Sequence, residues 1–303
     1  MRGRVGLYLC LALCLLGVFA VPGQSCVGAR ALGMGGAFTG LADDVSATYW
    51  NPAALVYLDG KYATWMHTAN NRDEINYQDY VAYAAPMGKK SAIGISYIKY
   101  QMLPSLEMYG DSVSWDQSWY WISYGVKAGK RTAIGANIKF IDDDLAVTEN
   151  GVPLDVSADT DMAFDLALYH HASDTVTLGL LVQNVNEPDT TIEEVGFEVA
   201  SATWVRNYRP GIAVRVPESN VIVAAEVYDA LDDADARALR VGLEKKFPEK
   251  RFALRAGRYA GGDVSGLTLG AGVWSADKGW ALDVAYMGGD LDGTWLVSGT
   301  AGF

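Results

Sequence analysis

Apolar side chains recur at every second position over most of the chain after residue 60, which is the period of a β-strand and not of a helix. Between Trp280 and Tyr286, for example, large apolar residues alternate with Ala281, Asp283 and Ala285. Each repeating segment is long enough to cross a bilayer as a tilted strand, which takes about 9–11 residues. Fourteen strands are therefore predicted, near residues 61–69, 76–86, 90–101, 115–127, 130–142, 161–171, 174–185, 205–216, 219–229, 234–246, 250–260, 263–274, 277–288 and 292–303.

The connections between these segments alternate in length. Short turns separate every second pair, and longer loops are predicted between them at residues 102–114, 143–160 and 186–204. Membrane barrels have short periplasmic turns and longer loops on the outer side. Because unpaired backbone groups are not tolerated in lipid, strands survive there as a closed cylinder without free edges. The pattern predicts an all-β fold, a 14-stranded antiparallel transmembrane β-barrel over residues 61–303, in the bacterial outer membrane and in contact with its lipid.

Charge is sorted in the same way as loop length. The long loops carry acidic runs, and basic residues flank the short turns, namely Lys89, Lys90, Lys130, Arg131, Lys245, Lys246, Lys250 and Arg251. The 303-residue chain has 24 Lys and Arg against 36 Asp and Glu, a net charge of −12. An acidic chain lacks the basic face needed to neutralise phosphates, so nucleic acid is excluded as a partner.

Both ends of the chain carry features of an exported protein. Residues 1–25 combine basic residues, a long apolar run and small residues, which predicts a signal peptide. Cleavage fits after Ala20 or after Ser25, and an alternative lipoprotein reading would place a lipid on Cys26. At the other end, Phe303 closes an alternating strand. A terminal aromatic residue there resembles the signal that the bacterial outer-membrane insertion machinery reads, so that machinery is an expected partner.

Residues 26–60 do not alternate and contain three short motifs. These are Gly33-Met34-Gly35-Gly36-Ala37, Ala42-Asp43-Asp44 and Asn51-Pro52-Ala53-Ala54-Leu55. A phosphate-binding loop is a poor interpretation, because no strand precedes the glycines and no Gly-Lys-Ser/Thr follows them. The glycines are better explained by a close approach of backbone to backbone.

These motifs resemble the N-terminus of the FadL-like outer-membrane transporters, and still more that of the PorV/PorQ-type relatives. Those families show a Gly-Gly-Ala stretch, an Ala-Asp-Asp step and an Asn-Pro-Ala-Gly-Leu step, where this chain has Ala54 in place of the common glycine. The resemblance implies a plug in the barrel lumen formed by residues 26–60, with Gly35, Gly36, Asp43, Asp44, Asn51 and Pro52 as its motif. It also implies passage of small hydrophobic molecules, with sideways exit through a defect in the strands.

The alternation also predicts which side chains face the lumen. Ionisable candidates of both signs are Asp165, Arg209, Glu226, Arg240 and Arg255. They are interpreted either as a paired network that fixes the plug or as a polar path in which arginine binds a ligand carboxylate. Trp119 and Trp121 share one face of a strand and are candidates for an apolar ligand surface, unless that face belongs to an interfacial aromatic girdle. Pro210 lacks a backbone N–H, so it marks either a lateral gap in the barrel or a strand start.

Two functions remain open at this stage. The first is passive transport of small hydrophobic, fatty-acid-like molecules, and the second is a PorV-like barrel that anchors or receives secreted proteins. Enzymatic activity is not expected, because the three His residues do not form a nucleophilic triad or a zinc site. No catalytic residue, metal ligand or cofactor is predicted.

Overall fold

A computed structural model of the protein describes residues 27–69, 77–108, 111–160, 162–194, 197–231, 237–261, 264–277, 279–289 and 293–303. The predicted signal peptide at residues 1–25 and the alternative lipid on Cys26 lie outside these residues. Within them, no helix is long and apolar enough to cross a membrane.

The described residues form eighteen strands, fourteen of which close into one antiparallel barrel. Neighbouring barrel strands are consecutive along the chain except where short strands intervene, and the ring closes where β1 pairs with β18. The strands are β1 (Tyr62–Ala69), β2 (Tyr77–Met87), β3 (Ser91–Met108), β4 (Asp111–Lys127), β5 (Thr132–Glu149), β6 (Val152–Pro153), β7 (Val156–Thr160), β8 (Ala163–His171), β9 (Val176–Gln183), β10 (Asp189–Glu194), β11 (Phe197–Thr203), β12 (Asn207–Val216), β13 (Val221–Tyr228), β14 (Ala238–Phe247), β15 (Phe252–Gly261), β16 (Val264–Trp274), β17 (Trp280–Met287) and β18 (Thr294–Gly302).

The two faces of the barrel wall differ as the alternation predicts. On β4, Tyr120, Ile122 and Tyr124 point outward and remain exposed, whereas Trp119 and Trp121 are buried inside. Apolar side chains occupy the outer face of the other strands as well, including Leu166, Leu243, Leu269, Leu282 and Val297. In a closed antiparallel barrel the backbone N–H and C=O groups are hydrogen-bonded between strands, and this apolar outer face presents hydrocarbon atoms to lipid. The prediction of a 14-stranded transmembrane β-barrel is confirmed.

Three strands are longer than predicted, and this corrects the loop assignments. Residues 102–114 were expected to form a loop, but β3 continues to Met108 and β4 begins at Asp111, and the two remain paired through Glu107 and Ser112. The loop expected over 143–160 instead contains the end of β5, together with β6 and β7. Seven further residues lengthen each of β3 and β5 by about 23 Å, so the paired strands β3, β4 and β5 project past their neighbours.

The loop expected over residues 186–204 is also partly a sheet. It contains β10 and β11, which pair with each other and, through β10, with β7. The backbone groups of these short strands hydrogen-bond with one another, so they form a small sheet beyond the barrel rim without pairing with the barrel strands. The correction therefore concerns structure at the long-loop end and leaves the count of barrel strands unchanged.

Residues 27–60, here called the inner segment, lie inside the ring. They contain helix α1 (Ala29–Leu32), helix α2 (Ala47–Trp50) and a 3₁₀ helix (Pro52–Tyr57). Every residue of α2 is buried, although the helix is a single turn. The inner segment contacts inward-facing positions on β3, β5, β9, β14 and β16, which stand on different sides of the barrel. It therefore fills the middle of the lumen.

Candidate functional site

The inner segment is seated on glycines of the barrel wall. A Cβ atom added to Gly179 of β9 would lie 2.0 Å from the carbonyl oxygen of Thr39, and one added to Gly257 of β15 would lie 2.2 Å from the Gly35 nitrogen. Added Cβ atoms would also lie within 3.0 Å of the inner segment at Gly94, Gly125, Gly135, Gly211, Gly242 and Gly270, where the nearest atom is backbone except at Gly94, which meets the Thr48 methyl. We call these eight positions the glycine belt. They let two backbones approach more closely than any side chain would allow.

The glycine pair Gly35-Gly36 of the inner segment is held by backbone geometry and hydrogen bonds. Gly35 and Gly36 have φ angles of 69° and 74°, a region that glycine adopts without strain. The Gly35 N–H donates to Thr268 Oγ1 of β16 at 2.9 Å, and the Thr268 hydroxyl donates to the Gly33 carbonyl at 3.1 Å. This part of the segment is therefore bonded directly to the wall.

Asn51 and Pro52 form the second anchoring point. The Asn51 amide donates from Nδ2 to the carbonyl oxygens of Thr39 and Leu168, at 3.1 and 3.0 Å. Its Oδ1 accepts the N–H of Ala53 at 3.2 Å, and Pro52 begins the 3₁₀ helix. One buried amide thus joins two parts of the inner segment to β8.

Arg30 connects the inner segment to the wall near the short turns. Its guanidinium donates to both Glu244 oxygens at 2.9 and 3.0 Å, and to Asp43 and Asp44 at 2.6 and 2.9 Å. Arg255 donates to Glu244 and to Asp283, both at 2.7 Å. We call these residues (Arg30, Asp43, Asp44, Glu244, Arg255 and Asp283) the lower ion cluster. It pairs each buried charge with at least one of opposite sign.

The lower ion cluster gives a prediction about acid stability. Burial would raise the pKa of Asp43, but Arg30, Lys246 and Arg215 outweigh it and hold the pKa below its ordinary value of 3.8. A lowered pKa on folding means that the carboxylate stabilises the fold above about pH 3.8 and loses this effect as pH falls through the folded value. Asp43→Asn should lower the free energy of unfolding at pH 7 by about 1–2 kcal/mol, and the difference should shrink below pH 3.8.

The measurement is urea unfolding of the reconstituted protein at a series of pH values. Asp174→Asn is the matched control, because Asp174 is 94% exposed and pairs with Arg131 at the surface. That variant should lose no more than a few tenths of a kcal/mol at any pH. A constant difference between Asp43→Asn and wild type down to pH 2 would contradict the assignment.

Arg209, Glu226 and Arg240 form a second charged cluster on the opposite side of the inner segment from the short turns. Arg209 and Glu226 are both fully buried, and two guanidinium nitrogens of Arg209 donate to Glu226 Oε1 at 2.9 and 2.6 Å. Glu226 Oε2 accepts the backbone N–H groups of Phe38 and Thr39 at 3.1 and 2.9 Å. The Arg240 guanidinium lies 3.8 Å from Glu226. Glu226 is therefore a direct link between wall and inner segment.

Asp165 lies in a third buried pair. The Lys139 amine lies 2.8 Å from Asp165 and also donates to Asn184 at 2.7 Å. The same amine sits 5.5 Å from the centre of the Trp119 ring, a cation–π distance. Asp165 also accepts a hydrogen bond from Asn137, whose amide reaches the carbonyl of Thr48 in α2.

Aromatic rings form an array from the long-loop end towards the inner segment. The Trp119 ring centre is 5.1 Å from that of Trp204, which precedes β12, and 5.5 Å from that of Tyr100. The Trp121 ring centre is 5.9 Å from that of Tyr80 and 6.4 Å from that of Tyr49 on α2. Since Trp119 and Trp121 are two positions apart on one strand, the two groups lie one above the other.

The remaining sequence-derived candidates lie in the wall and at the chain end. Pro210 faces outward and pairs with Leu180 of β9, while pairing of β12 with β13 begins one residue later, at Gly211. The wall is thus continuous on one side of Pro210, and the lateral gap remains a prediction. Phe303 is 79% exposed, and its N–H donates to the Lys61 carbonyl at 3.0 Å.

Several functional contacts were not anticipated from the sequence. Arg30 and Trp204 lie outside the alternating segments, so no period assigned them to a face. The glycine belt does have a sequence signal, because an isolated glycine in a strand often marks close backbone approach. Among the described residues, no group of three or more His, Cys, Asp or Glu is arranged to hold a metal ion.

Comparison with known proteins gives matches in structure. No protein-family model and no curated protein matches the chain. The Ralstonia pickettii toluene transporter TbuX superposes with a TM-score of 0.65 at 12% identity, over 93% of this chain and all of its own. A Pseudomonas aeruginosa FadL homologue gives 0.65 and 12%, over 91% of this chain and 98% of its own. The Pseudomonas putida toluene transporter TodX gives 0.61 and 13%, over 91% and 96%. At these identities the likeness establishes a common FadL-like barrel fold.

Proposed function

We propose that this protein is a bacterial outer-membrane channel for the passive transport of small hydrophobic molecules. The observation that carries the proposal is the array of aromatic rings in the lumen, above an inner segment that fills the barrel. Aromatic side chains offer apolar area with few rotatable bonds, which suits weak and reversible binding of an uncharged guest. Nothing in such a site requires an energy source.

In this function Trp119, Trp204 and Tyr100 form the first binding surface below the mouth. Trp121, Tyr80 and Tyr49 of α2 are almost fully buried, and they support the first surface from below. The inner segment acts as a plug, and its motif residues Gly35, Gly36, Asn51 and Pro52 hold it in place. The buried ion pairs are each satisfied within the protein, so their role in this proposal is to fix the plug and not to bind a charged ligand.

The ligand class is proposed from the solved structures of the same fold. Two of them are described as toluene transporters and a third, CymD, as a monoaromatic hydrocarbon channel. Trp119 is 5% exposed and already contacts Tyr100 and Trp204, so a ring-shaped hydrocarbon would take the place of one of these neighbours, at the centroid distances of about 4.5–7 Å that aromatic pairs favour. We therefore propose small aromatic or similarly compact apolar molecules as ligands.

Removing the first ring tests the proposal. Trp119→Ala should lower the uptake of a fluorescent aromatic probe into proteoliposomes by about 3- to 10-fold, because an aromatic contact contributes about 0.5–1.5 kcal/mol beyond its buried area. Tyr120→Ala is the matched control, since Tyr120 is the next residue on β4 and faces outward. Equal uptake by wild type, Trp119→Ala and empty liposomes would reject transport.

The alternative of a barrel that anchors or receives secreted proteins is not favoured by the structural neighbours. Closeness to the PorV/PorQ-type proteins remains a proposal that rests on the sequence motifs. A secreted protein that co-purifies with the barrel, together with absence of probe uptake, would support it. Recognition of Phe303 by the outer-membrane insertion machinery is likewise a proposal, supported by its exposure at the end of the barrel.

A further inference from the structure

The turn between β14 and β15 carries a compact surface of aromatic and cationic side chains. Lys245 and Phe247 end β14, Phe252 begins β15, and Lys250 and Arg251 form the turn between them. We call these five residues the basic turn surface. It lies at the short-turn end of the barrel, directly below the apolar outer wall.

Two phenylalanines mark the level at which the apolar wall ends. Phe247 and Phe252 are directly paired, and their rings stack with centres 4.4 Å apart and planes 15° from parallel. By the alternation of β14 they share the outward face with Leu243, which is exposed to lipid. Aromatic residues at the end of a lipid-facing strand mark the membrane interface, where lipid headgroups begin.

Lys250 and Arg251 lie beyond this pair, on its aqueous side, whereas Lys245 precedes Phe247 on β14, one outward-facing position nearer the bilayer. Lys250 and Arg251 are exposed, and neither has an ion-pair partner within the described part of the chain. The Lys245 amine lies 5.6 Å from the Phe247 ring centre and donates to the Ser219 carbonyl. Glu249 is the one acidic residue in the turn. The turn itself therefore has a net positive charge, and Glu218 is exposed in the neighbouring turn that Lys245 contacts.

The charge of this turn agrees with that of the whole barrel end. Other short turns expose the cations Lys89, Lys90, Lys130 and Arg131 and the carboxylates of Asp174, Glu218 and Asp277, so cations are in excess there as well. The projecting strands and connections at the opposite end expose carboxylates, including Asp142, Asp144, Asp155, Glu187 and Glu193. A positive ring next to an apolar wall attracts anionic lipid headgroups and repels cationic ones.

We propose that the basic turn surface is a binding site for an anionic phospholipid of the periplasmic leaflet. The lipid phosphate is bound by Lys250, Arg251 and Lys245, and its upper acyl chain segments pack on Phe247 and Phe252. Arginine donates to phosphate oxygens in a forked geometry, while lysine acts as a point charge. The site fixes the barrel's depth in the membrane, and it does not depend on what the lumen transports.

The test is native mass spectrometry of the full-length mature protein released from micelles that contain equal amounts of phosphatidylglycerol and phosphatidylcholine. Wild type should retain phosphatidylglycerol preferentially. Lys250→Gln/Arg251→Gln should weaken that retention by about 10- to 30-fold, since each cation near an anionic surface contributes about fivefold in affinity. The matched control is Lys89→Gln/Lys90→Gln, a second exposed basic turn whose strands end in Met87 and Ser91 and carry no stacked rings there.

The proposal requires the control to lose less than about fivefold. Equal retention of both lipids by wild type, equal losses in the two double variants, or displacement of the lipid by inorganic phosphate alone would overturn it. In a second set of micelles that contain lipid A and phosphatidylglycerol, stronger retention of lipid A would also overturn it, because lipid A belongs to the outer leaflet. A salt titration of wild type needs no substitution, and its selectivity should fall as ionic strength rises.

Discussion

Gly179→Val is expected to destabilise the barrel by about 3 kcal/mol or more, because it forces side-chain atoms into a space already filled by backbone. Even the first added carbon would lie 2.0 Å from the Thr39 carbonyl oxygen, and 2.7 Å from its carbonyl carbon. Neither the β9 ladder nor the inner segment can move aside without losing hydrogen bonds. The measurement is the urea midpoint of unfolding in vesicles. Unfolding is monitored by tryptophan fluorescence and by the heat-dependent electrophoretic mobility of the folded barrel.

Gly129→Ala is the matched control for this prediction. Gly129 lies in the short turn between β4 and β5, and a Cβ there meets no atom within 4 Å. The free energy of unfolding of this variant should lie within about 0.5 kcal/mol of the wild-type value. Gly257→Ala provides an independent check four strands away around the barrel, on β15, because its Cβ would lie 2.2 Å from the Gly35 nitrogen. Wild-type midpoints for both belt variants would show that the inner segment is not seated on these strands.

Glu226→Ala is expected to cost about 3–5 kcal/mol of unfolding free energy, the range for breaking a buried ion pair by removing one partner. It leaves the fully buried Arg209 without its carboxylate and orphans the N–H groups of Phe38 and Thr39. The guanidinium also packs over the Trp50 ring at 4.8 Å, so its relaxation would disturb α2. The inner segment should become more accessible to proteolysis as the fold weakens.

A double substitution distinguishes a paired charge from lost packing. Arg209→Met/Glu226→Met removes both charges while it keeps apolar volume, and should be more stable than either Arg209→Met or Glu226→Met. The double-mutant cycle in urea gives the coupling energy directly. Additive losses in the two single variants would mean that the 2.6 Å contact contributes little, and that Glu226 acts through its backbone hydrogen bonds alone.

The strands of the barrel were predictable because one physical rule governs all of them. A wall with lipid on one side and a filled lumen on the other imposes a period of two, as at Trp119–Tyr124 and Trp280–Tyr286. The strand ends follow from turn residues such as Gly88 and Pro248. Outside the bilayer that rule no longer applies. This explains why the extensions of β3, β4 and β5 were mistaken for loops, since their pairing depends on each other and not on lipid.

The packing of the inner segment could be predicted only in part. The glycines and Asn51 indicate close approach, but the partners of each come from strands more than a hundred residues away, as with Gly35 and Thr268. Backbone-to-backbone contacts have no side-chain pattern that would identify their partner. Likewise the alternation put Glu226 and Arg209 inside, but their 2.6 Å pairing depends on the register of β12 with β13.

The pairing of β1 with β18 has a consequence for biogenesis. Tyr62 lies opposite Gly302, and Ala69 opposite Trp295, so the first wall strand finds its second neighbour when the last residues of the chain arrive. Until then β1 lacks one of its two neighbours and its edge is unpaired. The inner segment, which precedes β1 in the chain, is enclosed only when β18 completes the barrel. A chain that stops one strand early keeps two unpaired strand edges in the periplasm. Chaperones must cover these edges to prevent aggregation, or proteases will degrade the chain.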